Sequence, residues 1–280
     1  MSEPQPIKIA GFPGLYAEGE GERRPFPLVF LHGMWAHHEF FPTYLPFFSA
    51  AGFDCYAVSR RGRKGVPPTN ARGVRFQDYL DDTLSTLDSI GRDAIVVGWS
   101  LGGLLAQQVA EAGRCRAAVL VAPVAPRDVR TFPRLGALPT YLRHLPDLLL
   151  GRPFLPSYGN TVRTVLNRTP EADRRRVYDA SVLDSGIVGR QIALTGVPVD
   201  AARVRCPMLC LVGLDDNITP ARSVRRIARK YGADLREYPD HAHMLMEEPG
   251  WEAIASDVLA WLQTKALSSE EALSAAGQRG

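Results

Sequence analysis

Ala94-Ile95-Val96-Val97-Gly98-Trp99-Ser100-Leu101-Gly102-Gly103 is the stretch that decides the fold. Ala94 to Val97 is a short unbroken apolar run, the mark of a strand buried on both faces. Leu101 to Ala112 is small and apolar enough for a buried helix. A strand that turns so abruptly into a helix needs small residues at Gly98 and Gly102, where neighbouring backbone would collide with a larger side chain. Ser100 is then thrust out above the sheet, at the positive end of the helix dipole. The competing reading is a glycine-rich turn whose serine merely caps the helix.

Working outward, the same kind of apolar run recurs at Leu28 to Leu31, Phe53 to Val58, Ala117 to Val121 and Met208 to Val212. Ile7 to Glu18 reads as an edge hairpin broken by Gly11, Pro13 and Gly14, and Asp234 to Tyr238 as the last strand. Helices are expected at Phe76 to Ile90, Ala221 to Tyr231 and Trp251 to Leu262, where apolar residues follow helical spacing. Strands alternating with helices give an α/β fold with a mostly parallel, doubly wound sheet.

The segment from Pro126 to Val199 breaks this rhythm, and it is too long for a plain loop. It is expected to be an inserted helical cap. Residues 1–125 and 200–264 then form the core, and 265–280 a loose tail. Leu135, Leu138, Tyr141, Leu142, Leu145, Leu148, Leu149 and Leu150 form an apolar cluster in the cap, followed by Pro153, Phe154 and Tyr158. They are expected either to line an acyl or aryl pocket or to pack the cap onto the sheet.

Composition narrows the class. Hydrophobic residues at 45% and charged residues at 22% are ordinary for a globular protein with a sizeable core. A net charge of +3 without a clustered basic face gives no ground for a nucleic-acid partner. No apolar stretch reaches the length of a membrane helix, and the start lacks a basic, apolar secretion signal, so the expected compartment is the cytoplasm. Cys55, Cys115, Cys206 and Cys210 lack the spacing of a zinc site and are expected to be neither bridged nor metal-bound. His37 and His38 are read as surface or pocket-rim residues rather than metal ligands, and Arg174 to Arg176 as a solvated helix face.

Three further stretches carry chemistry. Leu28-Val29-Phe30-Leu31-His32-Gly33-Met34-Trp35 ends a strand in a loop that can present a backbone N–H. Attack on an acyl carbonyl builds charge on its oxygen and needs two such donors. The amides of Leu101 and Met34 are the candidates, with Gly33 allowing close approach and His32 bracing the loop. Asp215 and Asp216 follow a late strand and compete as the acid that orients a histidine; turn and cap roles are the alternative. His241 and His243 compete as the base. The chain order serine, aspartate, histidine suits a nucleophile-elbow hydrolase.

With these motifs in order, the chain resembles the α/β-hydrolase superfamily, in the branch of small capped esterases, lipases and C–C hydrolases. The resemblance covers about Leu15 to Leu262 and rests on His32-Gly33-Met34-Trp35, Gly98 to Gly103, Gly213 to Pro220 and His243 to Pro249. It implies Asp216 as the acid, three residues after the glycine and before Ile218 and Pro220. It implies His243 as the base, immediately before an apolar triplet and then an acid and a proline. One departure is visible: Arg61-Gly62-Arg63-Lys64-Gly65 stands where many relatives have Arg-Gly-His-Gly. That loop is usually structural, so the expected change is confined to the rim of the entrance.

The expectation is a serine hydrolase cleaving a carboxylic ester with an apolar acyl or alcohol group, without metal or organic cofactor. Ser100, His243 and Asp216 form its triad, and Trp35, Phe40 and Trp99 are its substrate-binding candidates. The alternatives are a C–C bond hydrolase or triad-using lyase, and a slow-turnover ligand-binding protein of the same fold.

Overall fold

Eight strands form one sheet: β1 (Gln5–Ile9), β2 (Phe12–Ala17), β3 (Leu28–Leu31), β4 (Cys55–Val58), β5 (Ile95–Trp99), β6 (Ala117–Val121), β7 (Met208–Gly213) and β8 (Asp234–Tyr238). The computed structural model describes residues 3–63, 65–129 and 138–267. The strand order is β1-β2-β4-β3-β5-β6-β7-β8. β1 and β2 pair antiparallel, as do β2 and β4; the remaining neighbours are parallel.

Side-chain alternation along the central strands builds two apolar layers. Ile95, Val97 and Trp99 of β5, Val119 of β6 and Leu209 of β7 enter one layer. Val96, Leu120, Cys210 and Val212 enter the other. α1 (Tyr44–Ala50) and α10 (Trp251–Trp261) pack on the first face. α2 (Phe76–Ile90), α3 (Leu101–Glu111) and α9 (Ala221–Tyr231) pack on the second. Because both faces are covered, β3, β5, β6 and β7 are apolar throughout rather than alternating, and this made them visible in the sequence.

Between β6 and β7 the described residues form α4 (Leu138–Arg143), α5 (Leu145–Leu150), α6 (Tyr158–Thr164), α7 (Glu171–Ala180) and α8 (Gly186–Arg190). The expected leucine cluster is not a single buried unit. Leu148 and Phe154 are buried, but Leu142, Leu145, Leu149 and Leu150 are exposed. Leu135 lies outside the described residues, as do the side chains of Leu138 and Tyr141. Most of the expected C-terminal tail, from residue 268 on, also lies outside them. No helix among the described residues is long and apolar enough to cross a membrane.

Candidate active site

The turn from β5 into α3 is built on missing side chains. A Cβ on Gly98 would stand 2.2 Å from the Gly102 carbonyl oxygen, and one on Gly102 would stand 1.8 Å from that of Leu31. Ser100 between them has φ 55° and ψ −115°, outside the regions comfortable for an L-residue. Such strain costs about 1–3 kcal/mol and persists only where its surroundings enforce it. Here the enforcement is visible. Ser100 N donates to Val121 O at 2.9 Å, and Ser100 O accepts from Gly103 N at 2.9 Å and Val124 N at 3.0 Å.

The β3 loop lies directly against this turn. A Cβ on Gly33 would fall 3.1 Å from the Trp99 ring and 3.2 Å from Ser100 Cβ. His32 is buried behind the loop. Arg60 Nη2 donates to His32 O at 2.8 Å and approaches His32 Nδ1 at 3.0 Å. His32 Nδ1 also lies 3.0 Å from the Gly33 carbonyl oxygen, so the ring is held between the Arg60 guanidinium and its own loop. Burial, then Arg60 and Arg63, push the His32 pKa well down, so the ring is neutral. Among the described residues neither the Met34 nor the Leu101 amide has an assigned acceptor.

The acid and histidine meet beyond β7. Asp216 is fully buried, and its Oδ1 accepts from the amides of Ile218 at 2.7 Å and Thr219 at 2.8 Å. Its Oδ2 faces His243 Nδ1 at 2.8 Å. The carboxylate fixes the tautomer: Nδ1–H donates to Asp216 and Nε2 is left as a base. Gly213 permits this meeting, since a Cβ there would lie 2.4 Å from the carbonyl oxygens of both His241 and Ala242.

Two side chains unassigned by the sequence reading hold the acid and the histidine in place. Thr219 Oγ1 donates to Asp216 Oδ2 at 2.6 Å. Glu248 accepts from the amides of Ala242 at 2.6 Å and Met244 at 3.1 Å, bracketing His243. Burial raises the Glu248 pKa while those two amides pull it down. The acid-proline pair Glu248-Pro249 was a visible signal for the histidine, but its clamping role was not.

Ser100 and His243 are linked through Trp99, whose Nε1 donates to His243 O at 2.9 Å and whose ring lies 5.5 Å from the imidazole. No hydrogen bond joins Ser100 to His243 among the described residues. Such contacts are often long without substrate and tighten on binding. Of the competitors, Asp215 pairs with Arg168, and His241 Nδ1 lies 2.9 Å from Pro239 O.

Trp35, Phe40 and Trp99 line a small apolar cavity of about 30 Å³ with Met34 and Met244. Its opposite wall comes from the segment between β6 and β7, through Leu155, Val165, Leu166 and Val177. None of the leucines from 142 to 150 takes part.

Two expectations are corrected. His37 and His38 are buried, not at the surface: His37 Nε2 lies 3.0 Å from Ala180 O, and His38 Nδ1 lies 2.7 Å from Ser59 Oγ. Arg63 is not at an entrance rim but fully buried, 2.6 Å from Asp184. Arg174 to Arg176 lie on α7 as expected, where Arg175 pairs with Asp179 and Arg176 with Glu247.

Known proteins share this architecture. A non-heme chloroperoxidase of Burkholderia pyrrocinia is 26% identical over 270 residues, 87% of this chain and 94% of that protein. A monoacylglycerol lipase of Mycolicibacterium smegmatis is 26% identical over 252 residues, 84% of this chain and 87% of that protein. The crystal structure of a Paleococcus ferrophilus monoacylglycerol lipase superposes with a TM-score of 0.67 at 21% identity, covering 93% of this chain and 98% of that one, which shows a shared fold. The sequence profile of the alpha/beta hydrolase family matches residues 28–256. The chain belongs to the alpha/beta hydrolase family and carries a hydrolase's fold across that span.

Proposed function

We propose that this protein is a serine hydrolase that cleaves carboxylic esters with an apolar acyl or alcohol group. The observation that carries the reading is the strained Ser100 on its glycine turn, with the buried His243–Asp216 pair tied to it through Trp99. His243 Nε2 takes the Ser100 proton as Oγ attacks the ester carbonyl. Asp216 stabilises the imidazolium that forms. The amides of Leu101 and Met34 receive the oxyanion, each donor of this kind being worth on the order of 3 kcal/mol. His243 then protonates the leaving alcohol, and water releases the acyl group by the same steps in reverse order. These parts complete the chemistry without a metal or organic cofactor.

The helices between β6 and β7 serve as a cap in this reading, because Leu155, Val165, Leu166 and Val177 close the cavity over Trp35, Phe40 and Trp99. Its apolar lining supports an apolar substrate group. The monoacylglycerol lipase relatives are in keeping with an ester substrate. A panel of nitrophenyl esters, with Ser100→Ala beside the unmutated protein, tests the reading. A fluorophosphonate adduct mapped to Ser100 is the expected companion result. Ester hydrolysis that survives Ser100→Ala would sink the nucleophile assignment. Turnover of a diketone with no ester turned over would sink the ester class.

A further inference from the structure

Trp35 directly follows the amide read above as an oxyanion donor, and its backbone is left-handed, with φ 58°. An aromatic residue rarely adopts that conformation and needs outside help to keep it. Three hydrogen bonds from the segment between β6 and β7 supply it. Trp35 N donates to Asp184 Oδ2 at 3.0 Å, Trp35 O accepts from Val182 N at 2.8 Å, and Trp35 Nε1 donates to Phe154 O at 3.1 Å. Phe154 and Asp184 are themselves bonded to one another, backbone to backbone, at 2.9 and 3.0 Å.

Asp184 is the centre of this clamp. It is fully buried, and its carboxylate accepts four hydrogen bonds. Oδ2 takes Trp35 N and Arg63 Nη2; Oδ1 takes Tyr79 Oη at 2.7 Å and Ser185 N at 2.7 Å. Every acceptor site is used, so the carboxylate cannot rotate without breaking a bond. Burial and Asp184 raise the Tyr79 pKa, which keeps that hydroxyl a donor. Arg63 and Tyr79 are core residues, whereas Asp184 lies between β6 and β7. The Trp35 amide is thus held by a group that is in place only when this segment is docked. On its other side the loop is pinned by Gly33 against Trp99 and Ser100.

We infer that Asp184 is a positioning residue that couples docking of the helical segment to the geometry of the oxyanion loop through the Trp35 amide. The inference rests on the serine-hydrolase reading for its effect on turnover, but not for the contact itself. A loop misplaced by about 1 Å costs on the order of 100-fold in rate. Losing the clamp therefore lowers kcat by roughly 10- to 100-fold and leaves KM for a small ester within about 3-fold.

The test combines kinetics on 4-nitrophenyl butyrate with spectra of protein labelled at its 4 tryptophans with nitrogen-15. In the unmutated protein the Trp35 amide proton is expected downfield and protected from exchange; a fast-exchanging Trp35 amide overturns the inference. Asp184→Ala should move that signal and reduce kcat. Because it leaves Arg63 buried and unpaired, the charge-balanced Arg63→Met/Asp184→Leu pair is the variant expected to fold, with the same two effects. Ile227→Ala, a buried change in α9 far from the loop, controls for lost stability and should leave kcat unchanged. A kcat within about 3-fold of the original in the Asp184 variants, with the Trp35 signal moved, overturns the coupling. So does an unmoved Trp35 signal. Should Ser100→Ala keep full esterase activity, the nucleophile reading fails, while the Trp35 signal still decides the clamp.

Discussion

The Thr219 hydroxyl lies 2.6 Å from Asp216 Oδ2, the oxygen that also faces His243 Nδ1 at 2.8 Å. It also lies 3.1 Å from the Ala122 carbonyl oxygen, but the charged acceptor claims most of its single proton. Thr219→Val keeps the shape and removes the donor. We expect a stability loss of about 1–2 kcal/mol and a fall in kcat of roughly 10-fold, because the acid then holds the imidazole less firmly. Thr219→Ser keeps the hydroxyl and should recover most of the activity. Chemical denaturation and ester kinetics on the two variants check this.

Gly102 and Gly159 should respond to the same substitution in opposite directions. A Cβ on Gly102 meets the Leu31 carbonyl oxygen at 1.8 Å, so Gly102→Ala forces the elbow off β3. The expected loss exceeds about 3 kcal/mol, or the protein fails to fold. Gly159 lies in α6 with nothing within 4 Å of the added carbon and no positive φ. Gly159→Ala should stabilise by roughly 0.5–1 kcal/mol, since alanine loses less backbone freedom in a helix. Urea midpoints for the pair decide both expectations.

These contrasts show what a sequence can carry. The strands β3 and β6 and the helix α2 were legible to the residue because burial on both faces, or on one helical face, leaves a local trace. The glycines of the elbow were legible because backbone collisions there are short-range. Helix α1 left no such trace: Tyr44-Leu45-Pro46-Phe47-Phe48 has poor helix formers and is held by burial of Tyr44, Leu45 and Phe48. The Arg63–Asp184 pair spans 121 positions, and the Cys115 and Cys206 thiols, 3.8 Å apart, span 91. Nothing local announces either pair. The leucines between residues 142 and 150 misled because an apolar stripe does not say which way it faces. Leu142 on α4 and Leu145, Leu149 and Leu150 on α5 are exposed, while Leu148 is buried.

Asp54 is the place to look for acid sensitivity. It accepts from Arg23 at 2.8 Å, Arg92 at 2.7 Å, Tyr16 at 3.1 Å and the Gly19 amide at 3.1 Å. Burial alone would raise its pKa, but these donors outweigh it and hold the carboxyl below its ordinary value. A lowered pKa stabilises the fold above the ordinary carboxylate range, and the contribution is lost as pH falls through the folded value. Asp54→Asn should therefore cost about 1–2 kcal/mol at neutral pH, limited by the half-exposed arginines, and almost nothing in acid. Denaturation curves from pH 7 down to pH 3 would show the two proteins converging; a gap that stays constant would rule out the ionised carboxylate as its source.

Glu247 carries the opposite sign. Its carboxylate is buried beside the exposed Arg176 at 3.3 Å, with Asp173 on the same helix as that arginine. Burial raises the Glu247 pKa most, Asp173 adds to the rise, and Arg176 only partly offsets it. A raised pKa means that the folded state favours the protonated form. The associated stability is full below the ordinary glutamate range and is lost as pH rises through the folded value. Each unit of elevation is worth about 1.4 kcal/mol of destabilisation once the group is ionised. Glu247→Gln removes the titration and keeps the shape, so the variant should gain on the unmutated protein steadily from pH 4 toward neutrality. Because Asp54 works in the other direction, the double variant Asp54→Asn/Glu247→Gln should show a flatter dependence of stability on pH than either single change. A Glu247→Gln variant that loses ground as pH rises would mean that Arg176 outweighs burial at this site.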